Sequence, residues 1–235
     1  MYGLGRNVST KDPKDYPLSA FIRRTTDVTE KLWAFEVDAL NQLDTPHCGG
    51  FTMAHYGICH PMPSIYTNKD GHNFYYRCKE TEGEPGLENG TSCRAMAQTG
   101  KKLGMWSTYA FAQTVDEAIY WILNEGPIMF GTVWTNDMFF PDKDGFIHCT
   151  GDDAGGHAYL GLGATLIDDY LWGLTTWGPD FGINGKFKIP LSEFRKLFAR
   201  QGEAIAAVEV AKVDPSVQSG CRNTPLGKVL ARMLG

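Results

Sequence analysis

Two residues near the start of one helix-like segment have the types and spacing for thiol chemistry. In Gln42-Leu43-Asp44-Thr45-Pro46-His47-Cys48-Gly49-Gly50-Phe51 a glutamine stands six residues before a cysteine. The cysteine opens a segment with an amphipathic pattern. A thiol at a helix N-terminus feels the positive end of the helix dipole, which favours thiolate. A glutamine amide beside it can donate a hydrogen bond to an oxyanion forming next to the sulfur. A nucleophile of this kind needs a base. His157 suits that role, set in Gly155-Gly156-His157-Ala158-Tyr159-Leu160-Gly161-Leu162-Gly163 at the start of an apolar strand.

The elements that would carry these residues fall into two unlike halves. Residues 1–30 hold Gly3, Gly5, Pro13 and Pro17 among polar residues and are expected to form an extended arm. Such an arm serves as a surface strap or a partner contact; it is expected to be too short and too polar to cover an active site. Residues 31–40 form one mixed apolar segment leading into Gln42. The positions Phe51, Ala54, Tyr56 and Ile58 fit a short helix from Cys48 to about Cys59, weakened by Gly49 and Gly50 and ended by Pro61 and Pro63. Residues 64–90 are expected to be loop-rich. Thr91 or Ser92 caps a helix running to about Lys102 and closed by Gly104. Thr114 caps another, with Asp116 and Glu117 in its first turn, an apolar face of Ala118, Ile119, Ile122 and Leu123, and a stop at Gly126-Pro127.

After Pro127 the pattern changes to strands: 128–134, 157–164, 170–176, 186–189 and 204–210. A helical first half and a mostly β second half predict an α+β chain of two lobes with a cleft between them. Residues 211–225 make a polar tail, and the last residues, from Lys228, are expected to form a short amphipathic helix that needs a surface to dock on.

Composition narrows the function. The chain has 235 residues, 43% of them hydrophobic, a formal net charge of −5 and a pI near 5.7. No basic stripe suggests a nucleic-acid partner, and no run of 18 apolar residues suggests a membrane span. The N-terminus has no apolar stretch of a secretory signal, so an intracellular or virion-associated location is expected. Six cysteines stand at 48, 59, 78, 93, 149 and 221 without a C-x-x-C motif. Mostly reduced thiols are expected.

With His157-Ala158 and Gly163 added to Gln42, Cys48 and Phe51, and with Trp177-Gly178 followed by Gly182-Ile183-Asn184-Gly185-Lys186-Phe187, the chain resembles a papain-like (C1-type) cysteine peptidase. The order Phe74-Tyr75-Tyr76-Arg77, Glu82-Gly83, Gly90-Thr91-Ser92-Cys93-Arg94 and Gly104 is closest in pattern to the bacterial and phage branch of that family. The resemblance covers roughly residues 31–210. It implies a two-lobed papain-like fold, with a helical lobe over about 41–112, a β-barrel-like lobe over about 113–210, and the cleft between them. It also implies hydrolysis of a peptide bond in a protein or a peptidoglycan stem, without a cofactor. Cys48 would attack the carbonyl and His157 would be its imidazolium partner. Gln42 and the Cys48 backbone N–H would hold the oxyanion, and Trp177 would shield the histidine. Gly90 would bind substrate backbone, while Gly156 and Ala158 would flank a substrate pocket.

Two positions depart from the family pattern. Thr175 stands where the family carries the asparagine that orients the histidine, and Gly49 stands where it carries an aromatic residue. A threonine hydroxyl could accept from the imidazole in place of the amide. The glycine should leave the wall beside the sulfur less filled and the helix start more flexible.

Other readings attach to other residues. His47, Cys48, His55, Cys59 and His60 crowd one segment and could bind a metal, although no second ligand pair with finger-like spacing follows. Asn68–Gly71 and Asp142–Gly145 hint at calcium loops but lack the glutamate that would complete them, and are expected to be turns. Asp152 and Asp153 are solvated, or bias the cleft towards basic substrates. Thr175 and the polar arms also fit a non-enzymatic protein, a papain fold retained as a scaffold. Such a protein would be a virion or tail component whose terminal arms contact other subunits of a larger assembly.

Overall fold

The computed structural model describes residues 2–22, 28–35, 37–59, 61 and 64–208. The C-terminal tail, with Cys221 and the expected terminal helix, lies outside the described residues, as does His60.

The helical part contains three helices. The first, α1 (Cys48–Ile58), is buried along its whole length. Its first two glycines are there for space. A Cβ on Gly50 would lie 2.2 Å from the Gly71 carbonyl oxygen, and one on Gly49 would lie 2.4 Å from Thr91 Cγ2 and 3.0 Å from Met96 Sδ. The expectation of an unfilled wall is therefore corrected: Thr91 and Met96 occupy the space beside Gly49.

Helix α2 (Asn68–Glu82) occupies much of the stretch expected to be loop. Thr67 and Asp70 start it, with Thr67 N donating to Asp70 Oδ2 at 2.8 Å, and Gly83 at φ +76° ends it. Asn68–Gly71 is thus a first helical turn. The buried Lys79 then fixes the following loop, donating to Glu82, Glu84 and the Gly90 carbonyl at 2.9, 2.6 and 3.1 Å. Helix α3 (Cys93–Lys102) is capped by Ser92, whose hydroxyl accepts from Ala95 N.

The strands are β1 (Arg6–Asn7), β2 (Glu30–Leu32), β3 (Thr91–Ser92), β4 (Thr108–Phe111), β5 (Ile128–Thr135), β6 (Asp153–Thr165), β7 (Tyr170–Leu174), β8 (Lys186–Pro190) and β9 (Glu203–Val208). Two further helices accompany them, α4 (Val115–Asn124), capped by Thr114 as expected, and α5 (Leu191–Ala199). Sequence reading missed α5, although Leu191, Phe194 and Leu197 bury one face at helical spacing.

Seven strands form one sheet in the order β4-β9-β5-β6-β7-β8, with β2 also paired to β6. Strand β6 is long enough to serve several neighbours. Its first part pairs antiparallel with β5, and its later part with β7 and β2. Period-two alternation sends Ala158, Leu160 and Leu162 into a core with α1 and α3. Tyr159 goes instead into a second core with α4 and α5. Among the described residues no helix is long and apolar enough to cross a membrane.

Candidate active site

The sequence-distant parts of the site are brought together by the backbone. Gln42 N donates to the Thr176 carbonyl at 2.8 Å, and Gly178 N donates to the Leu40 carbonyl at 3.0 Å. The segment before α1 is thus stitched to the loop after β7. On the other side, Ala158 N of β6 donates to Cys48 Sγ at 3.4 Å, so the thiol at the start of α1 lies directly against the histidine strand.

Cys48 is fully buried, and its thiol is pushed up to about 11 by that burial. Backbone hydrogen bonds from Ala158, Gly5 and Gly49 pull the other way and do not compensate. The thiolate expected from the helix position is therefore not the form this arrangement favours: desolvation exceeds the dipole. His157 is also fully buried, and burial pushes it down to about 3. Its ring stacks on Trp177 with centroids 4.1 Å apart and 22° between planes, while Trp134 meets it edge-on at 4.9 Å. Neither ring nitrogen has a hydrogen-bond partner among the described residues. Burial thus favours the neutral thiol and the neutral imidazole, and no hydrogen bond joins Cys48 to His157.

Thr175 does not take the orienting role expected of it. It is buried, and its hydroxyl has no hydrogen-bond partner among the described residues. The neighbour Thr176 is the engaged residue, donating its hydroxyl to Gln42 Oε1. That contact turns the Gln42 amide so that Nε2 donates to Gly3 O at 3.2 Å and to Thr45 O. Sequence reading missed Thr176 because two adjacent hydroxyls carry no signal of which one faces the glutamine.

The arm corrects a second expectation: it is long enough to cover the site, and its N-terminal residues lie across it. The Gly3 carbonyl accepts from Gln42 and also from Trp177 Nε1 at 3.0 Å. Gly5 N donates to the Gly156 carbonyl at 3.0 Å, and Thr91 N donates to the Gly5 carbonyl at 2.8 Å. Arg6 and Asn7 run parallel to Thr91 and Ser92 as β1 on β3.

The expected substrate-binding glycines are where the arm passes closest. A Cβ on Gly90, at φ +83°, would lie 2.2 Å from the Gly5 carbonyl oxygen, and one on Gly156 would lie 2.1 Å from the Arg6 carbonyl oxygen. Trp177 grips the arm through its N–H and stacks on Tyr2 at 4.8 Å. Farther along, Arg94 binds Asp15 through both terminal guanidinium nitrogens and donates from Nε to the Thr10 carbonyl at 2.9 Å, and Leu18 is buried in the core.

The segment considered for metal binding is divided among separate contacts. His47 meets His72 at 2.6 Å and Glu88 at 2.5 Å, His55 Nε2 accepts from Leu40 N at 2.8 Å, and Cys59 donates to the Ala34 carbonyl at 3.3 Å. Among the described residues no group of three or more such side chains could hold a metal ion. The five described cysteines are free thiols. Asp153 pairs with Arg200, and Asp142 closes a turn by accepting from Asp144 N and Phe146 N, both at 2.9 Å.

No family model matches the sequence, and no curated protein matches it. Solved structures do match the fold. Xylellain, a cysteine protease from Xylella fastidiosa, superposes with a TM-score of 0.69 at 17% identity, over 88% of this chain and 97% of that one. Procathepsin B S9 from Trypanosoma congolense superposes with a TM-score of 0.61 at 11% identity, over 87% of this chain and 86% of that one. The chain has the mixed helix-and-sheet papain-like fold.

Proposed function

We propose that this protein is a papain-like cysteine peptidase whose N-terminal arm holds its cleft closed. One observation carries the reading: a peptide backbone already lies across the thiol. Its Gly3 carbonyl is held by Gln42 and Trp177, its Gly5 N–H by Gly156 and its Gly5 carbonyl by Thr91. A cleft with these donors and acceptors is built to bind extended peptide. In the uncovered site water returns to Cys48 and His157. The imidazole then takes the thiol proton, and the thiolate attacks a peptide carbonyl. The oxyanion is stabilised by the Gln42 amide, oriented by Thr176, and by the Cys48 backbone N–H. The motif order from Phe74 to Gly104 supports the bacterial and phage branch of the family.

A silent scaffold of the same fold is the second reading. The unbonded ring nitrogens of His157 and the unbonded Thr175 hydroxyl favour it. One experiment separates the two. The full chain carrying Gly5→Ala, which sets a Cβ 2.1 Å from the Pro46 carbonyl oxygen and unseats the arm, is treated with iodoacetamide at mildly acid pH and offered fluorogenic peptides. Selective labelling of Cys48, abolished by His157→Ala, together with peptide cleavage, is the expected result. Labelling of Cys48 no faster than that of Cys59 or Cys149, without cleavage, establishes the scaffold.

A further inference from the structure

Two imidazoles that the proposed chemistry does not use meet head to head. His47 directly precedes Cys48, and His72 lies in the second turn of α2. Their Nδ1 atoms are 2.6 Å apart. The other nitrogen of His47, Nε2, lies 2.5 Å from Glu88 Oε2, and Tyr76 donates its hydroxyl to Glu88 Oε1 at 2.8 Å. The buried His47 ring stacks on Tyr75 with centroids 3.8 Å apart, and Phe51 of α1 meets His72 edge-on at 4.9 Å. Among the described residues Glu88 is the charge in contact with the pair, and Tyr75 and Tyr76 are the other titratable groups packed on His47. Lys79, farther along α2, is taken up by Glu82 and Glu84.

Proton counting fixes what this contact tolerates. Two ring nitrogens at hydrogen-bond distance hold one proton between them. His47 donates from Nε2 to the Glu88 carboxylate, so with both rings neutral its Nδ1 accepts from His72 Nδ1–H. A first added proton goes to the outer nitrogen of His72 and leaves the contact intact. A second puts N–H groups on both facing nitrogens and sets two cations against each other. Burial also pushes both rings below 6.5, against the pull of Glu88.

Glu88 belongs to the loop that leads from Gly83 to Gly90 and into β3. Its neighbours in that loop have their own fastenings. Tyr75 donates to the Leu87 carbonyl at 2.7 Å and accepts from Gly90 N at 3.2 Å, and Lys79 donates to the Gly90 carbonyl at 3.1 Å. We infer that His47, His72 and Glu88 form a one-proton latch, which ties this loop to the start of α1 at neutral pH and releases it when both imidazoles are protonated. The inference holds for a peptidase and for a silent scaffold alike. Separated, the two rings bind two protons below pH 6.5; joined, they bind one. The latch is therefore fully closed above about pH 6.5 and weakens by up to about tenfold for each pH unit below it.

The test uses the full chain. Imidazole 15N spectra at neutral pH are expected to show one bare and one protonated Nδ1 for the pair, and on acidification two titration steps more than about one pH unit apart. Hydrogen exchange of residues 84–92, corrected for the intrinsic rate, is expected to lose about tenfold or more of its protection between pH 6.5 and 5, while β5 and β6 stay protected. His72→Gln, uncharged throughout, is expected to keep the loop's protection equal at the two pH values. His72→Asn replaces it if that variant fails to melt cooperatively. Two independent titrations near 6.5, equal protection of the loop at both pH values in the unaltered chain, loss shared equally by β5 and β6, or a pH-dependent loss that persists without His72 overturns the latch.

Discussion

Trp177 lies flat against His157, 4.1 Å between ring centroids, and directs its N–H to the Gly3 carbonyl instead of to the imidazole. One side chain thus covers the candidate base and holds the strand that closes the site. Replacing it with phenylalanine keeps the cover and removes the grip. Trp177→Phe is expected to raise the rate of Cys48 alkylation severalfold with little change in melting temperature. Trp177→Ala is expected to lower stability by about 3–5 kcal/mol, as for other buried aromatics. Chemical denaturation and timed labelling read the two effects. An unchanged alkylation rate in Trp177→Phe would show that the indole hydrogen bond does not hold the arm.

Burial of two neutral histidines sets a pH dependence of stability. His55 and His157 are both pushed down from 6.5 to about 3 by desolvation. Between these values the unfolded chain binds protons that the folded chain does not. Their contribution is therefore fully present above about pH 6.5 and is lost progressively as pH falls towards 3. Each histidine adds a slope of about 1.4 kcal/mol per pH unit inside that window. Urea unfolding at pH 7, 5.5 and 4.5 measures it, and His157→Gln is expected to reduce the slope by about one proton.

The two adjacent threonines should separate cleanly. Thr175→Val removes a buried hydroxyl that has no partner among the described residues and is expected to leave peptide cleavage unchanged and stability equal or raised by about 1 kcal/mol. Thr176→Val frees the Gln42 amide and is expected to lower kcat about tenfold or more, in line with loss of an oriented oxyanion donor. Kinetics of both variants in the arm-unseated Gly5→Ala background decide it. A larger loss in Thr175→Val than in Thr176→Val would reverse the assignment.

The contact between α1 and α2 depends on the absence of a side chain at residue 50. A Cβ there meets the Gly71 carbonyl oxygen at 2.2 Å and Tyr75 N at 2.4 Å, both backbone atoms that move only with the helix. Gly50→Ala is expected to cost about 1–3 kcal/mol or more. Gly86→Ala, in open space at φ +79°, should cost only the conformational penalty of about 1 kcal/mol. Thermal denaturation of both variants compares packing with backbone strain.

Much of the fold is visible in the chain because it is local. Thr114 and Ser92 cap α4 and α3 as their sequence contexts imply, and the strands from Ile128 onward follow runs bounded by turn residues. The misses have physical causes. Helix α2 is polar over most of its surface, so its apolar signal is faint, and its capping pair Thr67 and Asp70 is legible only as a pair. The arm contains little hydrophobic pattern because its binding is by backbone hydrogen bonds, which every residue type can make.

The sequence by itself determined the nucleophile, base and amide candidates, Cys48, His157 and Gln42, and the order of helical and β halves. Spacing to caps, turns and strand starts is a property of the chain. Only the tertiary structure decided their state. The arm from Tyr2 to Arg6 folds back across Gln42, Trp177 and the His157 strand, and burial of Cys48 and His157 pushes the thiol up and the imidazole down. The tertiary structure also decided that Thr176 and not Thr175 turns the Gln42 amide, and that Glu203 meets Arg6 across nearly the whole length of the chain. Protonation and pairing depend on which groups lose water together, and that is fixed by the packing of residues far apart in the chain.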